Sequence, residues 1–269
     1  MGADIKTLRT RIKSVDSTLH LTKAMGLVAS SKIRRAMERC VKSREYEAAL
    51  RGAVETLAIS PECKRSPYMK QSEGEEKLCL IVIAGDRGLA GGYNANIFRA
   101  LREYKDAHII PIGKRACDRY EGGYPSAEKF STAEASELAK KLCDGILDGS
   151  YTRVAILCTR YISMMSQEAE LREVLPLRAP EKRGGSVGVI FEPDELTVLN
   201  SAVPEYVTGL LVSAARESFA CEVAARRTAM DSAGKNAQQM IDGLTLEYNR
   251  ARQGAITQEI TEIVAGSDA

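Results

Sequence analysis

The chain contains no tryptophan, and aromatic residues make up only 5% of its 269 positions. A large compact core normally draws on more aromatic volume, so much of the chain is expected to be extended. Histidine is scarce: His20 and His108 stand in different segments, which gives a zinc site little support. No apolar run approaches the ~20 residues that span a bilayer. The opening, MGADIKTLRT, lacks the apolar stretch of a secretory signal. Met-Gly begins the chain, yet Ile5-Lys6 stand where a myristoylation signal wants Ser or Thr nearby. The net charge is only +2, so nothing global drives the chain toward nucleic acid. The seven cysteines are Cys40, Cys63, Cys79, Cys117, Cys143, Cys158 and Cys221. Their number is odd and none forms a CxxC pair, so they read as buried, reduced thiols.

Proline is missing from both ends, since all eight prolines lie between Pro61 and Pro204. A proline inside a helix costs about 3 kcal/mol, so its absence permits a long helix at each terminus. The apolar pattern goes further. Ile5, Leu8, Ile12, Val15 and Leu19 step by three and four, and the same register continues through Thr22, Gly26, Ala29, Ile33, Ala36, Cys40, Ser43, Glu47, Leu50, Val54 and Leu57. This heptad seam is apolar at both ends and small in the middle, where a partner helix can approach closely. Asp4 is placed to cap the helix and Ser60-Pro61 to stop it, which gives a rod of roughly 80 Å.

After Pro204, a residue suited to a first helical turn, alanine is dense. Met230, Ala233, Ala237, Met240 and Leu244 repeat the step, with a slip expected at Glu247/Tyr248. Gly266 is the expected stop of this second helix, roughly 90 Å long. Neither helix could stand alone in water, so the two are expected to pair antiparallel, the middle segment reversing the chain. Residues 1–60 carry twelve Lys/Arg against six Asp/Glu, and residues 204–269 six against nine, a complementarity that contributes weakly between exposed charges.

The middle reads α/β. Leu78–Ala84 is a continuous apolar run, as a buried strand requires. His108–Ile112 and Arg153–Cys158 are further strands, while Glu170–Leu177 and Val187–Phe191 look hairpin-like. Helices are expected over Asn94–Tyr104 and Lys114–Tyr120. A third, opened by the capping box Ser131-Thr132-Ala133-Glu134, should run to about Leu147. Lys182–Ser186 is the expected loop tip. The fold class is thus α/β: a long antiparallel coiled coil of terminal helices (1–60 and 204–269) around a small Rossmann-like domain (61–203) with a mostly parallel sheet.

Gly85-Asp86-Arg87-Gly88-Leu89-Ala90-Gly91-Gly92, between a strand and a helix, has the place of a phosphate cradle. The spacing fits neither GxGxxG nor GxxxxGK[ST], so it reads as a turn with a contact surface. Lys32-Ile33-Arg34-Arg35-Ala36-Met37-Glu38-Arg39 is a basic patch: a solvated face, or a surface for an acidic protein. No HExxH or kinase-type DFG set is present, and no catalytic, cofactor-binding or metal-ligating residue is assigned. On the residues alone, a self-contained coiled-coil protein and a nucleotide-dependent enzyme using Gly85–Gly92 both stay open.

Four stretches carry a resemblance. They are Ile5–Arg9 through Ile12–Val15, with Leu21-Thr22-Lys23-Ala24-Met25-Gly26-Leu27-Val28-Ala29 and Lys32–Ala36; Gly85–Asn94; Glu217-Ser218 through Ala224–Met230; and Tyr248-Asn249-Arg250-Ala251-Arg252-Gln253-Gly254-Ala255-Ile256-Thr257-Gln258-Glu259-Ile260-Thr261-Glu262-Ile263-Val264-Ala265-Gly266. In this order they resemble the gamma subunit of F-type ATP synthase. The resemblance implies a non-catalytic rotor shaft that couples ion flow through the membrane c-ring to the cycling of the catalytic beta subunits. Its implied partners are the alpha and beta subunits, the epsilon subunit and the c-ring, with no cofactor, no nucleic acid and no membrane span of its own. It also implies beta contacts at Met25, Lys32, Arg34, Arg35, Arg252 and Gln253, and an apolar bearing at Ile256, Ile260 and Ile263. Arg227 stands where the family commonly has Met, His20 is atypical, and Gly254 stands where Ala or another small residue is usual. With no transit peptide, the peripheral, cytoplasmic side of a bacterial inner membrane is expected.

Overall fold

The computed structural model describes residues 2–70, 75–179 and 190–267. Two compact units emerge, Met1–Ser30 with Arg226–Ala269, and Ser31–Ala225. Two long helices contribute to both: α1 (Gly2–Ala58) and α5 (Glu195–Ser267). Between them in the chain lie β1 (Leu78–Ile83), α2 (Tyr93–Ala100), β2 (His108–Ile112), α3 (Lys114–Cys117), α4 (Thr132–Leu147), β3 (Arg153–Tyr161) and β4 (Gln167–Leu175).

In the first unit α1 and α5 pair antiparallel. Gly26 lies against Met230, while Thr22 and Leu19 lie against Gly234. A Cβ on Gly26 would stand 3.6 Å from that of Met230, so the small seam residues do bring the helices together. Leu19, Thr22, Gly26 and Ala29 are buried, and Ile5, Leu8, Ile12 and Val15 half-buried, as the heptad pattern predicts. The helix is already formed at Gly2, so Asp4 lies within it and does not cap it. On α5 one position differs: Met240 is 48% exposed, and Ile241 turns inward instead. Two adjacent apolar residues are equivalent to a pattern search, but Met240 needs two fours in a row to reach Leu244 and Tyr248, whereas Ile241 leads by an alternating three, four and three to Leu244, Tyr248 and Ala251. The slip expected at Glu247/Tyr248 thus falls earlier, between Ala237 and Ile241, where two steps of four meet. The helix also passes Gly266.

In the second unit α5 starts at Glu195 and encloses Pro204, nine residues before the expected start. Asp194 is the cap: its Oδ1 accepts from the Thr197 N–H at 2.8 Å and its Oδ2 from the Thr197 hydroxyl at 2.8 Å. Proline removes one N–H from a helix, a loss that the capped and packed first turns absorb. From Tyr206 to Ala224 nearly every residue is buried. The α1 seam covers one side of it, from Ile33 and Ala36 to Val54 and Leu57, and the α/β layers cover the other.

The sheet order is β2-β1-β3-β4. β1 pairs parallel with β2 and β3, with Leu80 opposite Ile109 and Ala155. β4 runs antiparallel to β3, with Leu171 opposite Leu157. The alternation of a strand divides the core: Cys79, Ile81 and Ile83 join α4 and α5, while Leu80 and Val82 join α2 and α3. The Ser131 capping box forms as predicted, Ser131 N–H to Glu134 Oε2 at 2.7 Å and Glu134 N–H to Ser131 Oγ at 3.2 Å. α2 ends at Ala100 in a 3-10 turn, and α3 is a single turn ending at Cys117 instead of reaching Tyr120. Lys182–Ser186 and most of Val187–Phe191 lie outside the described residues, and Ile190 and Phe191 are not in a strand.

Candidate functional site

In the first unit the sequence-predicted residues are spread along the helices: Gly26, next to Met25, faces Met230, and Arg252 lies roughly 33 Å further along α5. Met25 is half-buried on α1, whereas Arg252 and Gln253 on α5 are exposed. Ile256, Ile260 and Ile263 follow at spacings of four and three, on one face of α5. They are 48%, 57% and 66% exposed. Full burial of such a side chain contributes roughly 1.5–3 kcal/mol, so covering the half to two-thirds still exposed would contribute roughly 1–2 kcal/mol each. Leu21, Leu27 and Val28 on α1 are also exposed. The pattern reading passed over them because they are apolar residues off the seam, which is the signal that could have found them.

The basic patch of the second unit is divided. Lys32 is held inside the chain: its Nζ lies 2.8 Å from Glu128 Oε1 and 6.0 Å from the centre of the Phe219 ring. Arg34 and Arg35 point outward, and Arg34 makes only a loose 3.5 Å pair with Glu38.

The Gly85–Gly92 turn has the geometry of an anion cradle, and the chain itself fills it. Glu222, buried on α5, accepts hydrogen bonds from the Asp86 N–H at 3.1 Å and the Arg87 N–H at 3.2 Å. Those are the donors a phosphate would need. Gly85 is required by the approach, since a Cβ there would stand 2.9 Å from Glu222 Cδ. Asp86 then organises the next loop. Its carboxylate accepts from the Ser126 hydroxyl at 2.6 Å, and from the Ala127 and Glu128 N–H groups at 2.8 and 3.1 Å. The turn is thus a strut between α5 and the sheet, closed to phosphate by a carboxylate. Leu89, in the left-handed region at φ +59°, stays outward.

A second carboxylate was missed by sequence reasoning because its partners are far apart in the chain. Glu217 on α5 is buried and accepts from the Arg172 guanidinium and the Tyr161 N–H, each at 2.8 Å, and from Arg44 on α1. Burial alone would raise its pKa. The Tyr161 N–H and the Arg172 and Arg44 guanidinium groups outweigh that and hold it below the usual carboxylate range. Burial pushes the thiol of Cys79 up to about 12 and that of Cys143 to about 11, so these cysteines are packing residues. Among the described residues no group of three or more His, Cys, Asp or Glu side chains could hold a metal ion. None of their helices is long and apolar enough to cross a membrane.

The family model described as ATP synthase matches residues 4–269. An ATP synthase gamma chain from Ruminococcus albus is 40% identical, covering 98% of each chain. The sodium-ion-specific ATP synthase gamma chain of Acetobacterium woodii is 35% identical over 100% of this chain and 99% of its own. A chain in the OSCP/F1/c-ring structure of the Euglena gracilis mitochondrial ATP synthase matches all of this chain and 95% of its own, with a TM-score of 0.71 at 19% identity, a likeness of fold. Identity of this extent over whole chains leaves one reading of the paired helices, the filled glycine turn and the bare isoleucine face: the chain belongs to the ATP synthase gamma chains, the non-catalytic central rotor subunits of the F-type enzyme.

Proposed function

We propose that this chain acts through shape, turning within a ring of alternating alpha and beta subunits while fixed to the c-ring and the epsilon subunit. The observation that carries the reading is the unpartnered isoleucine face of α5, Ile256, Ile260 and Ile263. An apolar bearing holds a shaft by non-directional contact, which hinders rotation least. Directional contacts fall to Met25, Arg34, Arg35, Arg252 and Gln253. Lys32 joins them by exchanging Glu128 for a carboxylate of a beta loop. A shaft that touched every beta subunit alike would shift none of their equilibria, so the contacts must differ from face to face. The same reading puts the complex on the cytoplasmic side of a bacterial inner membrane, with this chain peripheral to it.

Met25→Lys tests the contact. A new ammonium at a half-buried apolar position meets a desolvation cost that differs among the three beta conformations. In membrane vesicles carrying the assembled enzyme, ATP hydrolysis should persist while ions pumped per ATP fall. A parent ratio would remove Met25 from the contact set.

A further inference from the structure

A recess of 590 Å³ opens in the α/β unit between α1, residues 127–130 and α5. Four cationic side chains line it: Arg39 and Lys42 from α1, Lys129, and Arg216 from α5. Its one lining carboxylate, Glu128, is already committed to Lys32 at 2.8 Å. Arg216 donates to the Ser43 hydroxyl at 2.7 Å, a neutral partner. Among the described residues none of the four cations has a carboxylate within the 4.0 Å of an ion pair. What sets these four apart is that they converge on one concavity, whereas Arg44, Arg51, Arg153 and Arg172 each lie on a glutamate. The floor is apolar, formed by the rings of Phe130 and Phe219 with Ala36 and Ala127.

Four like charges in one concavity repel one another, and apolar walls lower the local dielectric and strengthen that repulsion. A ligand carrying several negative charges along a short length removes it. Guanidinium forks match phosphate oxygens two at a time, while an ammonium serves as a point charge, and the recess offers both. The volume lies within the range of small-molecule sites. A single orthophosphate, with at most two charges near neutral pH, would leave part of the cluster uncompensated. The phenyl floor gives an ester substituent somewhere to lie. From this arrangement we propose that the recess binds a soluble polyphosphate, either the inorganic chain or a phosphate ester carrying two or more phosphates. The site is separate from the Gly85–Gly92 turn, whose donors Glu222 occupies.

Calorimetry of the full chain with inorganic tripolyphosphate at low salt tests this. Saturable binding at one site is expected, with orthophosphate weaker by about tenfold or more. Arg39 and Lys129 are both exposed, so Arg39→Ala/Lys129→Ala should fold as the parent does, verified by its melting curve, and bind about tenfold or more weakly. Lys42→Glu, which reverses one of the four charges, should bind more weakly still. Arg99→Ala/Arg102→Ala removes the same net charge from exposed positions near α2 and should change affinity by no more than about twofold. Three results would overturn the proposal: no saturable heat with tripolyphosphate, equal weakening by the two double variants, or orthophosphate binding as tightly as tripolyphosphate.

Discussion

Replacing Glu217 with glutamine should loosen the α/β unit by a calculable amount. The parent side chain is 2% exposed and joins Arg172 on β4, Arg44 on α1 and the Tyr161 N–H at the end of β3. Removing one member of a buried ion pair costs roughly 3–5 kcal/mol, chiefly because the other charge stays buried. Here two features reduce that. Arg172 keeps Glu170 at 3.1 Å, and the amide oxygen of glutamine can still accept from Tyr161. Arg44 is 42% exposed, so it rehydrates and adds little. The expected loss is about 2–3 kcal/mol. With a urea dependence of about 2–3 kcal/mol per molar, the midpoint should fall by about 1 M. A two-unit chain need not unfold in one step, so hydrogen exchange of the β3 and β4 amides should accompany the urea titration and isolate this unit. Glu217→Leu/Arg172→Met, which removes both charges, should be more stable than Glu217→Gln. The pH dependence has a definite sign. A carboxyl held below its unfolded value contributes stability above the unfolded pKa of about 4.3, and that contribution is lost as pH falls through the folded value. Glu217→Gln should therefore flatten the acid limb of the stability curve. A midpoint within about 0.2 M of the parent, or an unchanged acid limb, would refute the reasoning.

Ile260→Asp should leave the chain's own fold intact, because the side chain is 57% exposed. It should weaken assembly with alpha and beta subunits by roughly 2 kcal/mol or more, seen as a lower yield of intact complex on size exclusion, and an unchanged yield would remove Ile260 from the bearing. The thiols should resist alkylation at pH 8 in the folded chain. Burial holds Cys79 and Cys158 at about 12 and Cys143 at about 11, while Cys117, the one cysteine not fully buried, should react first. Mass spectrometry of the labelled peptides decides, and reaction of Cys79 ahead of Cys117 would contradict the packing described.

The helical seam was legible because its period is local. Sixteen positions from Ile5 to Leu57 could be placed by counting threes and fours, and all of them turn inward. Counting fails where two neighbours are equally apolar, as at Met240 and Ile241, and where one strong signal hides another. Pro204 suggested a helix start and drew attention from Asp194, whose carboxylate caps the helix. The strands showed by their apolar runs, and β1 and β2 have nearly the expected bounds. Hidden from the sequence were the contacts that join distant segments: Lys32 to Glu128, Arg44 and Arg172 to Glu217, and Glu222 to the glycine turn. A charged residue on a helix face looks solvated in a pattern, because the pattern does not contain the sheet that packs on it. The glycine turn shows the consequence, since its spacing argued against nucleotide binding and the structure supplies the cause in a carboxylate 136 residues away.

The two kinds of contact are segregated in a way that suits a turning part. Within the α/β unit, the buried carboxylates of Glu217 and Glu222 are spent on guanidinium and backbone N–H groups. In the coiled-coil unit, the uncovered side chains of the last turns include Ile256, Ile260 and Ile263. A bearing built of hydrogen bonds would hold its partner in each angular position by about 1–3 kcal/mol per bond, and every step of rotation would have to break them. Methyl surface resists a step only through the difference in area covered before and after, at about 25 cal/mol per Å². The cost of that smoothness is that such a surface selects nothing: equal burial against three beta subunits biases none of them. Under the proposed function, selection falls to polar residues: Arg252 and Gln253, just before the isoleucines on α5, and Arg34 and Arg35, exposed on α1 in the other unit. A tenfold preference for one beta conformation needs only about 1.4 kcal/mol, within reach of a single charge-assisted bond, so under the proposed function a few exposed polar side chains are enough to give the shaft its direction while the isoleucines let it turn.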